Sequence, residues 1–171
     1  MKKFALLRHT MPAGAQLPSH WDLLLEQSTG SDKAATNDLF ALRLLVLPKA
    51  TPKAVEASTT ASAVNALSGA LQRGKPTNPS VSAERLIDHR RHYLTYEGPV
   101  SGNRGEVKRV ASGTYERFAY GKRPDCRQLE LGGRIELYTQ QDAGISIFDL
   151  PPCAVQQHVE IVIHAWCIIN S

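Results

Sequence analysis

The sequence predicts a mainly β protein, a small antiparallel β-barrel with a peripheral helix or loop insertion. Apolar and polar residues alternate along several short segments, and glycines separate these segments. Such a pattern is typical of short strands joined by tight turns, which assemble into barrels or sandwiches. A chain of 171 residues is long enough to bury one core, so we expect a single domain over 1–171.

The N-terminal third predicts three strands. Lys3 to Leu7 is a short apolar run bounded by charge, and "HWDLLLE" (20–26) follows a loop rich in Pro, Gly and Ala. The third apolar segment, "LFALRLLVLP" (39–48), is ended by Pro48. Short connections favour antiparallel neighbours.

The composition changes at Thr51. Residues 51–84 are rich in Ala, Ser and Thr, and prolines bracket a more helix-compatible middle from Glu56 to Arg73. We expect a surface insertion over 50–83, either one helix or a loose loop. The β signals return from Arg85, in "HYLTYEG", "GEVKRVASGTYERFAYG", "CRQLELGGRIELYTQ", "ISIFDL" and, in part, "HVEIVIHAWCIIN".

The composition, 42% hydrophobic and 21% charged, is that of an ordinary globular protein. No stretch reaches the roughly 18 apolar residues of a membrane span, so we expect no membrane partner. The first apolar run is stopped by Arg8 and His9, too early for a signal peptide, so we expect a cytoplasmic protein.

The positive charge is concentrated in one stretch. Residues 85–123 hold nine Lys or Arg against four Asp or Glu, whereas the whole chain has a net charge of only +4. A basic face of this kind attracts phosphate backbones. A solvated loop with scattered arginines fits the same count, and the sequence does not choose between them.

His20 and Asp22 are candidates for a metal site. Side chains two apart on a strand share a face, and His9 closes the preceding strand. If these two strands are antiparallel neighbours, His9 meets His20 at the loop end. Two imidazoles and a carboxylate are ligands for Mn²⁺, Fe²⁺ or Zn²⁺. A hydrogen-bonded His–Asp pair in a barrel wall is the alternative.

A second candidate cluster is "DHRRHYLTYEG" (88–98). Its histidines and arginines can grip phosphate oxygens, and its tyrosines can stack on bases. A polar turn before a strand whose Tyr93 packs in the core explains it as well. A third cluster, "VSGNRGEVKRVASGTYE" (100–116), predicts a glycine-punctuated hairpin that carries Arg104, Lys108 and Arg109.

In this order the segments resemble the 3′-phosphoesterase domain of bacterial DNA ligase D and its stand-alone relatives. "RHT…LPSHWDLLLE" is similar to that family's K-H-D…L-H-Y-D-F-R-L-E, and "VLPK" is similar to V-P-K. "DHRRHYLTYEG" and "GTYE" resemble D-H-x-x-x-Y-x-x-F-E-G and G-T-Y-E. The matches span roughly 4–116.

The resemblance implies a small β-barrel enzyme of DNA repair. Such enzymes remove 3′-phosphates and 3′-terminal ribonucleotides from DNA or RNA–DNA ends with manganese, although Zn²⁺ or another transition metal fits the same ligands. It implies repair proteins as further partners. The implied metal ligands are His9, His20 and Asp22; the implied catalytic residues are His89 and Tyr93; Lys49, its rival Arg43, Arg90 and Arg104 are candidates for binding phosphate.

Two departures from the family motivate an alternative. Leu24 stands where the family has an arginine, and the chain starts only a few residues before the first strand, where ligase D proteins carry an arm. A nucleic-acid-binding barrel without turnover is therefore the second hypothesis. A hydrolase of small molecules or a metal-binding barrel, unrelated to nucleic acid, is the third.

Overall fold

The computed structural model describes residues 1–27, 37–49, 78–118, 132–139 and 145–168. Within these ranges the chain forms ten strands and one short 3₁₀-helix. Their bounds are β1 (Lys2–Thr10), β2 (His20–Glu26), β3 (Asn37–Leu44), β4 (Ser80–Arg85), β5 (His89–Arg90), the 3₁₀-helix (Arg91–Leu94), β6 (Gly98–Pro99), β7 (Glu106–Phe118), β8 (Gly133–Thr139), β9 (Ile145–Leu150) and β10 (His158–Ala165).

Eight of these strands close an antiparallel barrel, which confirms the predicted fold class. Neighbours pair in the order β1, β2, β3, β4, β10, β9, β8, β7, and β7 pairs back with β1. Closure leaves no unpaired strand edge in this ring, which is the usual reason for an all-β chain to form a barrel. The short strands β5 and β6 pair with β3 and β7 outside the ring.

The barrel interior is filled by aliphatic and aromatic side chains, as strand alternation requires. Phe4 and Leu6 of β1 and Leu23 and Leu25 of β2 point inward and are fully buried. They belong to one large cluster, here called the inner cluster, to which every one of the eight barrel strands contributes.

A second apolar cluster lies on the outside of the β1–β2–β3 wall. Leu7, Leu24 and Ala41 point away from the barrel interior, yet they are buried because the 3₁₀-helix and the segments around it cover them. Leu94 of that helix is buried among them. The outer cluster, as it is called below, explains the run Leu23–Leu25: β2 is buried on both faces, so its residues do not alternate in polarity.

Two predicted strands differ from the structure. "HYLTYEG" is wrong as a strand, because β5 ends at Arg90 and a helical turn follows. In that turn the amides of Thr95 and Tyr96 both donate to the carbonyl of His92. The third strand ends at Leu44 rather than at Pro48, because its pairing with β2 ends there, and the next two residues are exposed.

The predicted insertion over 50–83 is too long at its C-terminal end. Residues 80–83 form most of β4, which pairs with β3 and β10 in the barrel wall. Residues 50–77 lie outside the described residues. In the described ranges, no helix has the length and apolar character needed to cross a membrane.

Candidate metal centre

His9, His20 and Asp22 meet on the outer face of the β1–β2 pair. His9 lies directly opposite His20 in the antiparallel register, and their ring centroids are 4.6 Å apart. This confirms the predicted meeting of the two imidazoles. Asp22 is two residues further along β2, on the same face, with Leu24 of the outer cluster next to it. The trio therefore lies at the edge of the outer cluster, away from the barrel interior.

The three side chains are close enough to share one ion. One ligand atom from each residue lies within 4.8 Å of the others. They are largely shielded from water: side-chain exposure is 2% for His20, 6% for Asp22 and 15% for His9. Two imidazole nitrogens and a carboxylate oxygen suit Mn²⁺, Fe²⁺ or Zn²⁺ and leave coordination positions open.

Backbone carbonyls orient both rings. Nε2 of His9 donates to the carbonyl of Arg104 at 2.7 Å, and Nδ1 of His20 donates to the carbonyl of Pro18 at 2.8 Å. A carbonyl only accepts, so each neutral ring must carry its proton on the nitrogen that faces the backbone. The lone pairs on the other two nitrogens then point at the Asp22 carboxylate.

This arrangement sets acceptors against acceptors unless a cation lies between them. Nδ1 of His9 is 3.1 Å from Oδ2 of Asp22, and Nε2 of His20 is 3.6 Å from Oδ1. Oδ1 is buried and makes no hydrogen bond within the described part of the chain. Metal-bound histidines commonly donate their second N–H to a carbonyl or carboxylate. The residues present therefore fit a divalent metal.

A proton can relieve part of the same conflict. The hydrogen bond to Asp22 raises the pKa of His9, with a smaller contribution from the Arg104 carbonyl, against desolvation, which lowers it. Burial lowers the pKa of His20. The pKa values of the two rings thus shift in opposite directions, so a proton competes with a metal more strongly at His9 than at His20.

Arg43 is the cation nearest in register to the trio. It lies opposite Asp22 on β3, and Nη1 donates to Oε2 of Glu84 at 2.8 Å. Its Nε is buried and has no hydrogen-bond partner in the described ranges. Of the two rival basic residues, Arg43 is thus placed beside the trio. Lys49 is exposed, five residues beyond the end of β3.

His89 and Tyr93 belong to a separate aromatic group around the 3₁₀-helix. Their ring centroids are 5.8 Å apart, and Nδ1 of His89 donates to the carbonyl of Ile87. Tyr93 also contacts the rings of His92 and Tyr96 and packs against the outer cluster. The structure thus brings the predicted catalytic pair together but not up to the trio: His89 pairs with Leu39, which lies opposite Glu26 at the other end of β2 from His20.

The last two candidates for phosphate binding differ in their surroundings. Arg104 is exposed and turns its side chain back onto its own hairpin, where Nε donates to the carbonyl of Ser101 at 2.8 Å. Its backbone carbonyl, rather than its guanidinium, reaches His9. Arg90 is exposed on β5 and pairs in register with Asn37.

Sequence reasoning missed the two orienting carbonyls, of Arg104 and Pro18. A backbone carbonyl leaves no signal in the sequence. Gly105, which follows Arg104, is the one indirect indication of the Arg104 carbonyl. Its φ is +88°, and a Cβ there would lie 2.1 Å from the carbonyl oxygen of Thr10. Only glycine lets the β6–β7 hairpin approach β1 closely enough to present the Arg104 carbonyl to His9.

No family model matches the chain, and no curated protein was found to be similar to it. The class of protein is therefore defined by the fold and the trio alone. It is an antiparallel β-barrel with a candidate metal centre on its outer wall.

Proposed function

We propose that this barrel is a metal-dependent phosphoesterase that removes a 3′-phosphate or a 3′-ribonucleotide from nucleic-acid ends. The observation that carries the metal part is the convergence of two imidazole lone pairs on a buried carboxylate. The substrate class rests on the sequence resemblance over 4–116 and on the basic residues of 85–123.

A divalent metal at this centre supplies Lewis-acid polarisation of a phosphate oxygen and lowers the pKa of a bound water. The chain's own residues do the rest. The Arg104 and Pro18 carbonyls hold both imidazoles in the tautomer that can bind a cation. Arg43, opposite Asp22, neutralises charge on a phosphate oxygen as the transition state forms.

His89 and Tyr93 are the residues that we assign to contact with the substrate. His89 contributes a hydrogen-bonding group to the substrate strand about 13 Å along β3 from the position opposite Asp22, and Tyr93 positions that imidazole, with its own ring held against the outer cluster. Manganese is the metal we favour, because the resemblance implies it.

The test is release of phosphate from a 5′-labelled primer-template that ends in a 3′-phosphate, with and without Mn²⁺. We expect metal-stimulated release that His20→Ala reduces at least about 100-fold, because removal of a ligand costs more than loss of an orienting partner. His158→Ala is the matched control, since this exposed histidine lies on β10, three strands away from β2. Full activity of His20→Ala would contradict the proposal.

A nucleic-acid-binding barrel without turnover is the second candidate, and Leu24 favours it. Leu24 is fully buried in the outer cluster, so the position where the resembling family has an arginine contributes packing here and no charge. Salt-sensitive binding of the primer-template without release at any metal concentration would select this candidate. Metal-stimulated hydrolysis of a small phosphoester that DNA does not inhibit would instead select a small-molecule hydrolase.

A further inference from the structure

An open cavity of about 490 Å³ lies on the outer face of the β1–β7 pair, beside the 3₁₀-helix. Its polar lining is basic and hydroxylic, and none of the described residues that line it is Asp or Glu. It is called the basic cavity below. Its polar side chains include those of Lys3, Arg91, His92, Arg109, Ser112 and Thr114.

Two of the cations are held in place from outside the cavity. Arg91 pairs with the carboxylate of Glu26. Arg109 donates from Nη1 to the carbonyl of Leu94 at 3.0 Å, and its backbone N–H donates to Glu97 at 2.7 Å. These contacts limit the freedom of both guanidinium groups. Glu26, which also accepts from the backbone N–H of Lys3, and Glu97, whose Oε1 lies 4.0 Å from Nε of Arg109, are not among the residues that line the cavity.

Two donors of the basic cavity are not engaged by the described part of the protein, whereas the hydroxyl group of Thr95, which also lines the cavity, donates to the carbonyl of His92 at 3.3 Å. Among the described residues, neither the ammonium group of Lys3 nor the hydroxyl group of Ser112 makes a hydrogen bond or an ion pair, whereas Thr114 makes only a 3.6 Å contact to the sulfur of Met1. Oriented guanidinium groups together with free ammonium and hydroxyl donors are what a phosphate group binds.

The basic cavity and the metal centre share one face of the same strand. Lys3 and His9 both point outward from β1, and they are six positions apart along the strand, which is about 20 Å at the usual rise. Along a helical nucleic-acid strand, with one phosphate for each 3.4 Å of axis, this distance spans about six nucleotides.

We infer that the basic cavity binds a backbone phosphate of a nucleic-acid strand, about six nucleotides from an end that lies at His9, His20 and Asp22. The direction of the strand rests on the proposed function. The phosphate site does not, because it needs neither metal nor turnover.

The test is equilibrium binding of a 5′-fluorescein-labelled 12-nucleotide single strand in EDTA, measured by anisotropy between 50 and 200 mM salt. We expect Lys3→Gln to weaken binding about fivefold and to reduce the slope of log K against log salt by about 0.7, the value for one lost phosphate contact on a single strand. Ser112→Ala is a second variant and should weaken binding in the same direction.

Lys108→Gln is the matched control. Lys108 is exposed and pairs with Arg8 in register, so it lies on the same strand pair as Lys3 but points to the other face. It should change neither the affinity nor the slope. An equal effect of Lys108→Gln, or no effect of Lys3→Gln, would overturn the inference, because binding would then be diffuse or elsewhere.

Probe length separates a strand from a free anion. A labelled dinucleotide, even when fully extended, is too short to reach from the metal centre to the basic cavity, so with Mn²⁺ bound its affinity should not respond to Lys3→Gln. If the dinucleotide responds as strongly as the 12-mer, or if inorganic phosphate displaces both equally, the cavity is a general anion site and the inference fails.

The inference and the proposed function can fail separately. Binding of the 12-mer that depends on Lys3, without any metal-stimulated release, would retain the phosphate site and remove the phosphoesterase. If His20→Ala abolishes metal-stimulated release but Lys3→Gln does not change binding of the 12-mer, the phosphoesterase is retained and the phosphate site is removed.

Discussion

The β1–β2 pair has two buried faces, and their contents differ. The inner face carries Leu6, Leu23 and Leu25. Tyr115 packs in the same cluster, and its hydroxyl group donates to the carbonyl of Glu26. The outer face begins as a similar apolar surface at Leu24 but continues into Asp22 and the two histidines. Both faces are shielded from water. Only the outer one leaves buried acceptors facing each other.

The comparison shows how a buried polar group can be interpreted. A polar group inside a protein is normally hydrogen-bonded, and then it contributes to the stability of the fold. The Tyr115 hydroxyl is of this kind. The Asp22 carboxylate differs, because each neutral ring keeps its proton on the nitrogen that faces a backbone carbonyl. Oδ2 of Asp22 is then hydrogen-bonded only when His9 is protonated, and Oδ1 makes no hydrogen bond with the described residues. A group left in this state at the edge of a cluster marks a candidate metal site.

The largest expected effect is a loss of free energy of unfolding, and it should differ between the inner and the outer face of β2. Leu23→Ala should lower the free energy of unfolding by about 4 kcal/mol, because the closed barrel cannot collapse onto the lost volume. Leu24→Ala should cost about 2 kcal/mol, since the short helix over the outer cluster can settle into the space. Urea unfolding measures both. An equal or greater loss for Leu24→Ala would break the distinction.

Asp22→Asn should remove metal binding while leaving the fold intact. In EDTA we expect this variant to be at least as stable as the wild type, because a neutral amide can donate to a ring nitrogen where the carboxylate cannot. Mn²⁺ at 100 times its Kd should stabilise the wild type by about 2.7 kcal/mol and the variant not at all.

Asp149→Asn is the control for the Asp22 variant. Asp149 also contacts a histidine, at 2.7 Å from His164, but only one histidine lies in that pair. Its substitution should leave the stabilisation by Mn²⁺ unchanged. Loss of the metal effect in both variants would mean that the trio is not the site.

Gly105→Ala should weaken Mn²⁺ binding about tenfold, the usual scale for loss of an orienting partner. A methyl group there would meet the Thr10 carbonyl oxygen and push the hairpin, with the Arg104 carbonyl, away from His9. Gly14→Ala is the control, because its φ of +80° is similarly strained but its Cβ would meet nothing within 4 Å. Calorimetric titration with Mn²⁺ should show unchanged affinity in the Gly14 variant.

The smallest effect concerns the hydrogen-bonded hydroxyl of the inner face. Tyr115→Phe should cost about 1 kcal/mol at neutral pH, the worth of one hydrogen bond. Burial raises the pKa of Tyr115 well above its usual value of 10. Its contribution is therefore complete below pH 10 and is lost as the pH rises above 10, because the unfolded chain ionises first. Unfolding at pH 8 and pH 11 should show the difference between wild type and variant shrinking at the higher pH.

Much of the barrel and of the trio follows from the sequence. Strand alternation has a period of two, so His20 and Asp22 had to share a face, and the short loop after β1 brought His9 opposite His20. The segment "ISIFDL" forms β9 with the bounds of its pattern. The prediction of a strand over "HYLTYEG" was wrong, because the segment is too short for its pattern to distinguish a strand from a helical turn. A single helical turn also places Tyr93 and Tyr96 on one side.

The sequence by itself determined which side chains share a face, since that depends only on the local geometry of a strand. Tertiary structure decided which face is the inside. The sequence does not distinguish Leu23 from Leu24, because both are apolar and both are buried. Leu23 lies inside the barrel, whereas Leu24 lies on the outer face under the 3₁₀-helix. It also decided the chemistry of the trio: the Arg104 carbonyl reaches His9 across 95 residues of chain, and a backbone atom that any residue carries acquires this role only when the barrel closes.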